Sequence, residues 1–591
     1  MRPPSPFRYS SLMTTDTSFP ALRRSLIRNL EEREYTAGRL NNPKRDPGHF
    51  FGTILPELKF AVLLAAESDD TPEAGRRLAT AASVLEEAAA KFTPEGRIGT
   101  INDLNSVSFG LVPYTEALLR LRNRIPDGRW LALREAAVRL FDNAAVHINQ
   151  TVDYLNPRGM DALVAVNLHA LTGEPRFRDK TAYWLDELAA RQYPCGAQPY
   201  HTAGWIWGRK PAQAYQLLTV TMMLAAGRRL GRADTEAYVK RLMDFETLAC
   251  NRRAEPFVTL FEGLHKSQST SCDGWLWPLA FALNEPRFHP LGKAVYARWR
   301  DRVSTSCPGA VSGLVNALLL DVNAIPAAAP FIPSQGLHAC PDISAIFIHE
   351  PERDIGLSLL TGYSSIAEAD AGSVKLYALL PELTDHPTYR NTGLDAVRLD
   401  WKVPSEQDAC RVDGNRALLA GRGFTKWILS EGPTDAARHL HTRELHIELT
   451  YENGELVLSY RTLKNTHPEQ LPSRLLFLLI ALPRSEAPVL RLGNASFTPP
   501  PADAKEPWSA EAPVGPVTFA AADGSAIEII PEQSRALRLT AERPHLELKV
   551  ENPILATPVK PANEGSLRLA FEGPDVLEEG RYRIRFINGS K

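Results

Sequence analysis

Through the first half of the chain, apolar residues recur every three to four positions, the spacing of one buried helical face. The runs ALRRSLIRNLEEREY, FFGTILPELKFAVLLAAE, EAGRRLATAASVLEEAAAKF, VPYTEALLRLRNR, WLALREAAVRLFDNAAVHI and MDALVAVNLHALTG follow one another with short breaks. Two further runs flank a polar, aromatic loop at 191–215, and TEAYVKRLMDFETLA, GWLWPLAFALNE, LGKAVYARWRDRV and GLVNALLLDV come after it. Roughly a dozen helices with almost no strand signal between them predict helix pairs stacked around a ring, an α/α toroid whose loops form a concave face at one end. No fixed period of the solenoid kind runs through them.

The pattern breaks at AIPAAAPFIPSQG, where Pro326, Pro330 and Pro333 prevent any helix from continuing. Beyond it the apolar period falls to two, in DISAIFIHE, GLSLLTGYS, SVKLYALLP, AVRLDWKV, SRLLFLLIALP, SAIEIIP, HLELKVEN and RYRIRFING. ELHIELTYENGELVLSYRTL reads as a hairpin turned at Asn453-Gly454. These elements predict an α+β multidomain chain: a disordered lead-in at 1–20, an α/α toroid at 21–323, a Pro-rich linker at 324–336 and an antiparallel β-sandwich at 337–591.

Charge and cysteine usage narrow the function classes. Basic and acidic residues nearly cancel, at a formal net charge of -2, so no nucleic acid and no membrane surface is expected as a partner. No segment offers about twenty uninterrupted apolar residues, and the Pro- and Ser-rich start lacks an apolar leader core. A cytoplasmic location is expected, or a periplasmic one if a leader has been removed. The six cysteines, Cys195, Cys250, Cys272, Cys307, Cys340 and Cys410, form no C-x-x-C pair and read as reduced thiols. No cofactor is expected. His439, His441 and His446 on a predicted strand raise the idea of a structural metal, but no carboxylate stands at a defined spacing and none is predicted.

Candidate chemistry concentrates in RQYPCGAQPYHTAGWIWGRKPAQAY, residues 191–215, between two helical runs. Tyr200 and His201 are proton-transfer groups, Trp205 and Trp207 offer faces on which a sugar can stack, and Arg209 and Lys210 are carboxylate partners. Tyr200 and His201 would equally serve to cap the next helix, and the two Trp to fill a core. A second cluster at 255–278 contributes His265 as an alternative base, with Lys266, Gln268 and Trp275 as substrate contacts; Asn105 lies in an earlier polar loop.

The segment QYPCGAQPYHTAGW resembles the motif region of heparinase II/III-like and alginate-lyase-like polysaccharide lyases, matching it at Tyr193, Pro194, Gly196, Gln198 and Gly204. That family has a toroid followed by a sandwich, the order predicted above. The resemblance makes Asn156, in YLNPRGMDALVAVNLHALTG, the counterpart of the family's charge-neutralising asparagine. It also shows departures: Cys195 replaces an Asp, and Trp205 stands where the catalytic Tyr is found.

Eliminating a 4-linked uronic acid means removing the proton on C5 beside a carboxylate. The carboxylate must therefore be neutralised, one group must take the proton and one must give a proton to the leaving oxygen. Tyr200, His201, Asn156 and Arg209 are the candidates, which implies an acidic polysaccharide or oligosaccharide as substrate. Two alternatives stay open: a glycoside hydrolase drawing two carboxylates from Asp103, Asp161, Glu255, Glu262 and Asp273, or a carbohydrate-binding relative without turnover.

Overall fold

The computed structural model describes residues 19–589 apart from 34, 41–45, 47, 67–71, 100–106, 152–154, 200–210, 212, 258–269, 304–306, 360–364, 380–396, 402–408, 430–437, 466–473, 482–488, 499–508, 533–537, 543–565 and 573–577. Among these residues twelve α-helices come first: α1 Phe19–Arg33, α2 Leu55–Ala65, α3 Pro72–Ala90, α4 Val107–Leu121, α5 Asp127–Thr151, α6 Asn156–Thr172, α7 Pro175–Ala189, α8 Gln213–Leu230, α9 Asp234–Leu248, α10 Thr270–Ala282, α11 His289–Val303 and α12 Cys307–Leu319.

Helices α2, α4, α6, α8, α10 and α12 each pack on the next, and α12 returns to α2, so they close a ring. Helices α3, α5, α7, α9 and α11 back α2, α4, α6, α8 and α10 from outside. Burial follows the two roles. Inner helix α6 is buried on nearly every side, whereas outer helix α7 buries only the stripe Phe177, Thr181, Trp184, Leu185 and Leu188. The inner helices α10 and α12 approach so closely that a Cβ on Gly274 would stand 3.3 Å from the Gly313 Cα.

The ring has two unlike ends. Inner helices α2, α4, α6, α8 and α10 are each joined to an outer partner by a short link, from 173–174 after α6 to 283–288 after α10, so the partner runs back antiparallel and the inner helices point the same way. At their C-terminal end, arginines close the ring. Arg124 Nη1 donates to the Ala65 carbonyl at 2.9 Å, Arg122 Nη1 to Ala170 at 3.2 Å, and Arg228 to Leu320 at 3.1 Å and Ala282 at 2.6 Å. These cations satisfy the carbonyls that a helix C-terminus leaves open and oppose its dipole. Arg120 and Arg229, each 2.8 Å from the buried Glu116 carboxylate, fill the space between. The described starts of three connections, 91–99, 190–199 and 249–257, follow outer helices and so lie at the other end, that of the inner-helix N-termini.

Residues 322–335 carry no helix or strand. Among the described residues the chain then forms two antiparallel sheets, one of nine strands beginning with Gly336–Cys340 and one of ten in which Arg438–Glu452 pairs with Glu455–Asn465. Their inner faces share one core that includes Ile346, Leu357 and Leu376 from the first and Leu445, Leu458 and Ile584 from the second, which makes the pair a β-sandwich. The expected hairpin turns at Asn453 and Gly454, with φ of 52° and 81°, values that a short turn between twisted strands requires. No helix of the described residues is long and apolar enough to cross a membrane.

Candidate active site

The inner-helix N-termini gather polar side chains that the ring interior would otherwise exclude. Asn156 opens α6, preceded by Leu155, which makes no side-chain capping bond. The Asn156 amide does not serve as the cap, since its Oδ1 is buried with no hydrogen-bond partner among the described residues. One turn further, Asp161 accepts from the Ser108 hydroxyl of α4 at 2.5 Å. Burial pushes the Asp161 carboxyl up to about 7, against the pull of Ser108 and Lys180.

The motif Tyr193-Pro194-Cys195-Gly196 is a tight turn, with Gly196 N–H donating to the Tyr193 carbonyl at 2.8 Å. Gly196 adopts φ +96°, and a Cβ there would stand 2.1 Å from the Arg241 carbonyl oxygen, so no other residue fits. The chain leaves this turn on a buried amide platform. Gln198 N–H donates to Gln216 Oε1 at 3.2 Å, and the Tyr238 hydroxyl donates to Gln198 Oε1. Gln216 and Gln213, in the first turn of α8, donate in turn to Glu246 at 2.5 and 3.2 Å. Burial raises the Glu246 carboxyl to about 7 despite these two donors.

The described start of the connection after α9, residues 249–257, meets the sandwich. Phe245 and Phe257 pack on Phe347 of the strand Ala345–Glu350. Around them lies a network of charges: Arg298 grips Asp273 at 2.6 and 3.0 Å and donates to the Ala254 carbonyl at 2.9 Å, while Arg253 reaches Asp370 of the sandwich at 2.9 Å. Glu255 lies 3.3 Å from Arg253 and 3.9 Å from Lys375. Burial alone would raise its carboxyl, but these cations outweigh it and hold Glu255 at about 2.

No sequence-family model matches the chain, and no curated protein does. Among solved structures, Paenibacillus xanthan lyase is similar over 99% of this chain, at a TM-score of 0.54 and 10% identity; the chain spans 58% of that protein's length. The chain shares its fold with an α/α-toroid polysaccharide lyase. Streptomyces coelicolor A3 chondroitin AC lyase, solved with chondroitin sulphate, is similar over 99% of this chain and 98% of its own at a TM-score of 0.49 and 10% identity. A glycosyl hydrolase family 88 protein from Bacteroides vulgatus is similar over 51% of this chain and 98% of its own at a TM-score of 0.35 and 11% identity.

Of the residues expected from sequence to carry the chemistry on this lyase-like fold, Asn156 stands at the inner-helix N-terminal end of the ring. Tyr200, His201, Trp205, Trp207, Arg209, Lys210, His265, Lys266, Gln268 and Asn105 lie outside the described residues. The described ends of the connections that carry them, Pro199 and Pro211 for the main loop, belong to the same end of the ring as Asn156. Trp275 corrects the expectation of a sugar-facing ring: it is 9% exposed and belongs to the core of the helical ring, because α10 is an inner helix buried on most of its surface. Glu246, Arg253, Arg298 and Lys375 escaped the sequence reading. Only Glu246 left a trace there, as a lone carboxylate four residues after Leu242 on the buried stripe of α9. Among the described residues no group of three His, Cys, Asp or Glu has the arrangement of a metal site.

Proposed function

We propose that the protein is a polysaccharide lyase that cleaves a uronic-acid-containing glycan by β-elimination. Tyr200 and His201 take the C5 proton and protonate the leaving oxygen, Asn156 and Arg209 neutralise the carboxylate, and Trp205 and Trp207 stack against sugar rings. His265, Lys210, Lys266, Gln268 and Asn105 line the remainder of the cleft.

The observation that carries this reading is Asn156, a buried amide at the inner-helix N-terminal end of the ring whose carbonyl oxygen is unengaged among the described residues. An amide offers one acceptor and a neighbouring donor. Its Nδ2 can therefore donate to a uronic carboxylate oxygen, which withdraws the charge that opposes removal of the C5 proton, while its Oδ1 accepts from a sugar hydroxyl. The setting adds to this. The parallel inner helices direct their N-termini, each worth about half a positive charge, toward the same end, a field suited to an anionic sugar.

Two of the five carboxylates that a hydrolase could draw on are already engaged, which weighs toward elimination: Asp273 is clasped by Arg298 and Glu255 by Arg253 and Lys375. The test is a panel of acidic polysaccharides followed for the ultraviolet absorbance of the unsaturated product. New reducing ends without that absorbance would assign hydrolysis instead, and binding with neither signal would make the protein a carbohydrate-binding relative.

A further inference from the structure

Cys195 and Cys340 meet across the contact between toroid and sandwich. Cys195 sits in the turn at Tyr193–Gly196, and Cys340 ends the strand Gly336–Cys340. Cys195 packs, partly exposed, against the apolar cluster that contains Cys340, Ile343, Ala345 and Phe347. Its backbone N–H donates to Asp342 Oδ2 at 3.2 Å, which fixes the turn to the residues that follow Cys340. Both cysteines are free.

We propose that Cys195 and Cys340 form a redox modification site, at which a small disulfide such as oxidised glutathione converts the two thiols into a covalent bond between toroid and sandwich. The sulfurs differ in a way that sets the order of events. The neighbouring Cys340 side chain lowers the Cys195 thiol below the ordinary cysteine range, whereas Cys195, with burial, raises Cys340. Cys195 is thus the nucleophile. Its thiolate attacks one sulfur of oxidised glutathione, forming a mixed disulfide and releasing one glutathione thiolate. Cys340 then gives up its proton and attacks Cys195 Sγ, which expels the second glutathione. Two protein thiols and one glutathione disulfide become one protein disulfide and two glutathione thiols.

A third cysteine lies close by but is placed differently. The Cys410 thiol donates to the Ala345 carbonyl at 3.4 Å, and burial pushes it up to about 12, so its proton is committed elsewhere. This site is independent of the proposed glycan chemistry, and its readout needs no substrate.

The experiment treats the full-length protein with oxidised glutathione at about pH 8, where a lowered thiol is ionised, then alkylates it in denaturant and maps its peptides. Two of the six thiols should escape alkylation, and a peptide joining Cys195 to Cys340 should appear. In Cys340→Ser, glutathione should remain trapped on Cys195; in Cys195→Ser, the other five thiols should all alkylate. Six alkylated thiols in the treated wild type, an unresolved glutathione adduct on Cys195, or a bond joining Cys410 to either partner would overturn the proposal. If a serine variant does not fold, the wild-type peptide map decides by itself.

Discussion

Arg252 holds Asp354 twice on one carboxylate oxygen, through its backbone N–H at 2.9 Å and its Nε at 2.8 Å. Asp354 is wholly buried in the sandwich, and its second oxygen lies 2.9 Å from His349 Nδ1. The far nitrogen of that ring lies 2.9 Å from the Leu248 carbonyl at the end of α9. Toroid and sandwich are thereby joined through one buried carboxylate. Arg252 also donates to the Glu350 carbonyl at 2.7 Å, which fixes the neighbouring hairpin.

Removing that carboxylate strands the buried His349 imidazole and takes a partner from the half-exposed Arg252 guanidinium. Asp354→Ala is expected to cost about 1–3 kcal/mol, the penalty for leaving a buried polar group unsatisfied. The shift in guanidinium chloride midpoint measures it, and an unmoved midpoint would mean that the contact does not hold the two parts together.

Glu255 gives the acid limb of stability. Its folded value, about 2, lies below the ordinary 4.5, so its contribution is present above pH 4.5 and disappears as the pH falls from there through about 2. Thermal midpoints measured across that window should fall steeply in the wild type and less steeply in Glu255→Gln.

Asp161 acts with the opposite sign. Its folded value is raised from 3.8 to about 7, so folding favours its neutral form, and stability declines as the pH rises between those values. Asp161→Asn retains an acceptor for Ser108 and removes the ionisation. The variant should therefore gain stability over the wild type at pH 8 and little or none at pH 4, which melting curves at the two values will reveal.

The turn that precedes the proposed catalytic residues depends on Gly196. Alanine there must take φ +96° and press on the Arg241 carbonyl, a strain of about 1–3 kcal/mol. We expect Gly196→Ala to lower the melting temperature and to reduce product formation more than Gly173→Ala, whose site is open. Equal losses in the two would detach the turn from activity.

For the chemistry itself, Asn156→Ala, Tyr200→Phe and His201→Ala are each expected to lower kcat by about 10²–10³, the usual loss when one preorganised group at a developing charge is removed. KM should change far less. Initial rates of ultraviolet absorbance on the active polysaccharide measure both, and full turnover in both the Tyr200 and His201 variants would refute their assignment.

Legibility in the sequence tracked the range of the interaction involved. The helix pairs and the strands were readable because three-to-four and two-residue periods are properties of neighbours along the chain. The break at Pro326, Pro330 and Pro333 and the turn at Asn453-Gly454 were readable for the same reason, since each rests on what one residue's backbone can do. Asn156 was singled out through a local motif, and the lack of a partner for its carbonyl oxygen among the described residues emerged only from the packing of α6 within the ring. Trp275 was misjudged because an aromatic in a helix looks alike whether the helix is inner or outer.

Sequence by itself determined that this chain makes a run of paired helices and then a run of antiparallel strands, because a local period dictates which face of each element must leave water. Tertiary structure alone decided that α12 closes on α2, that arginines plug one end of the ring and leave polar amides at the other, and that Arg252 finds Asp354 and Cys195 finds Cys340. Each such pairing joins segments far apart in the chain, and only the packing of whole elements selects one partner among many chemically equivalent ones.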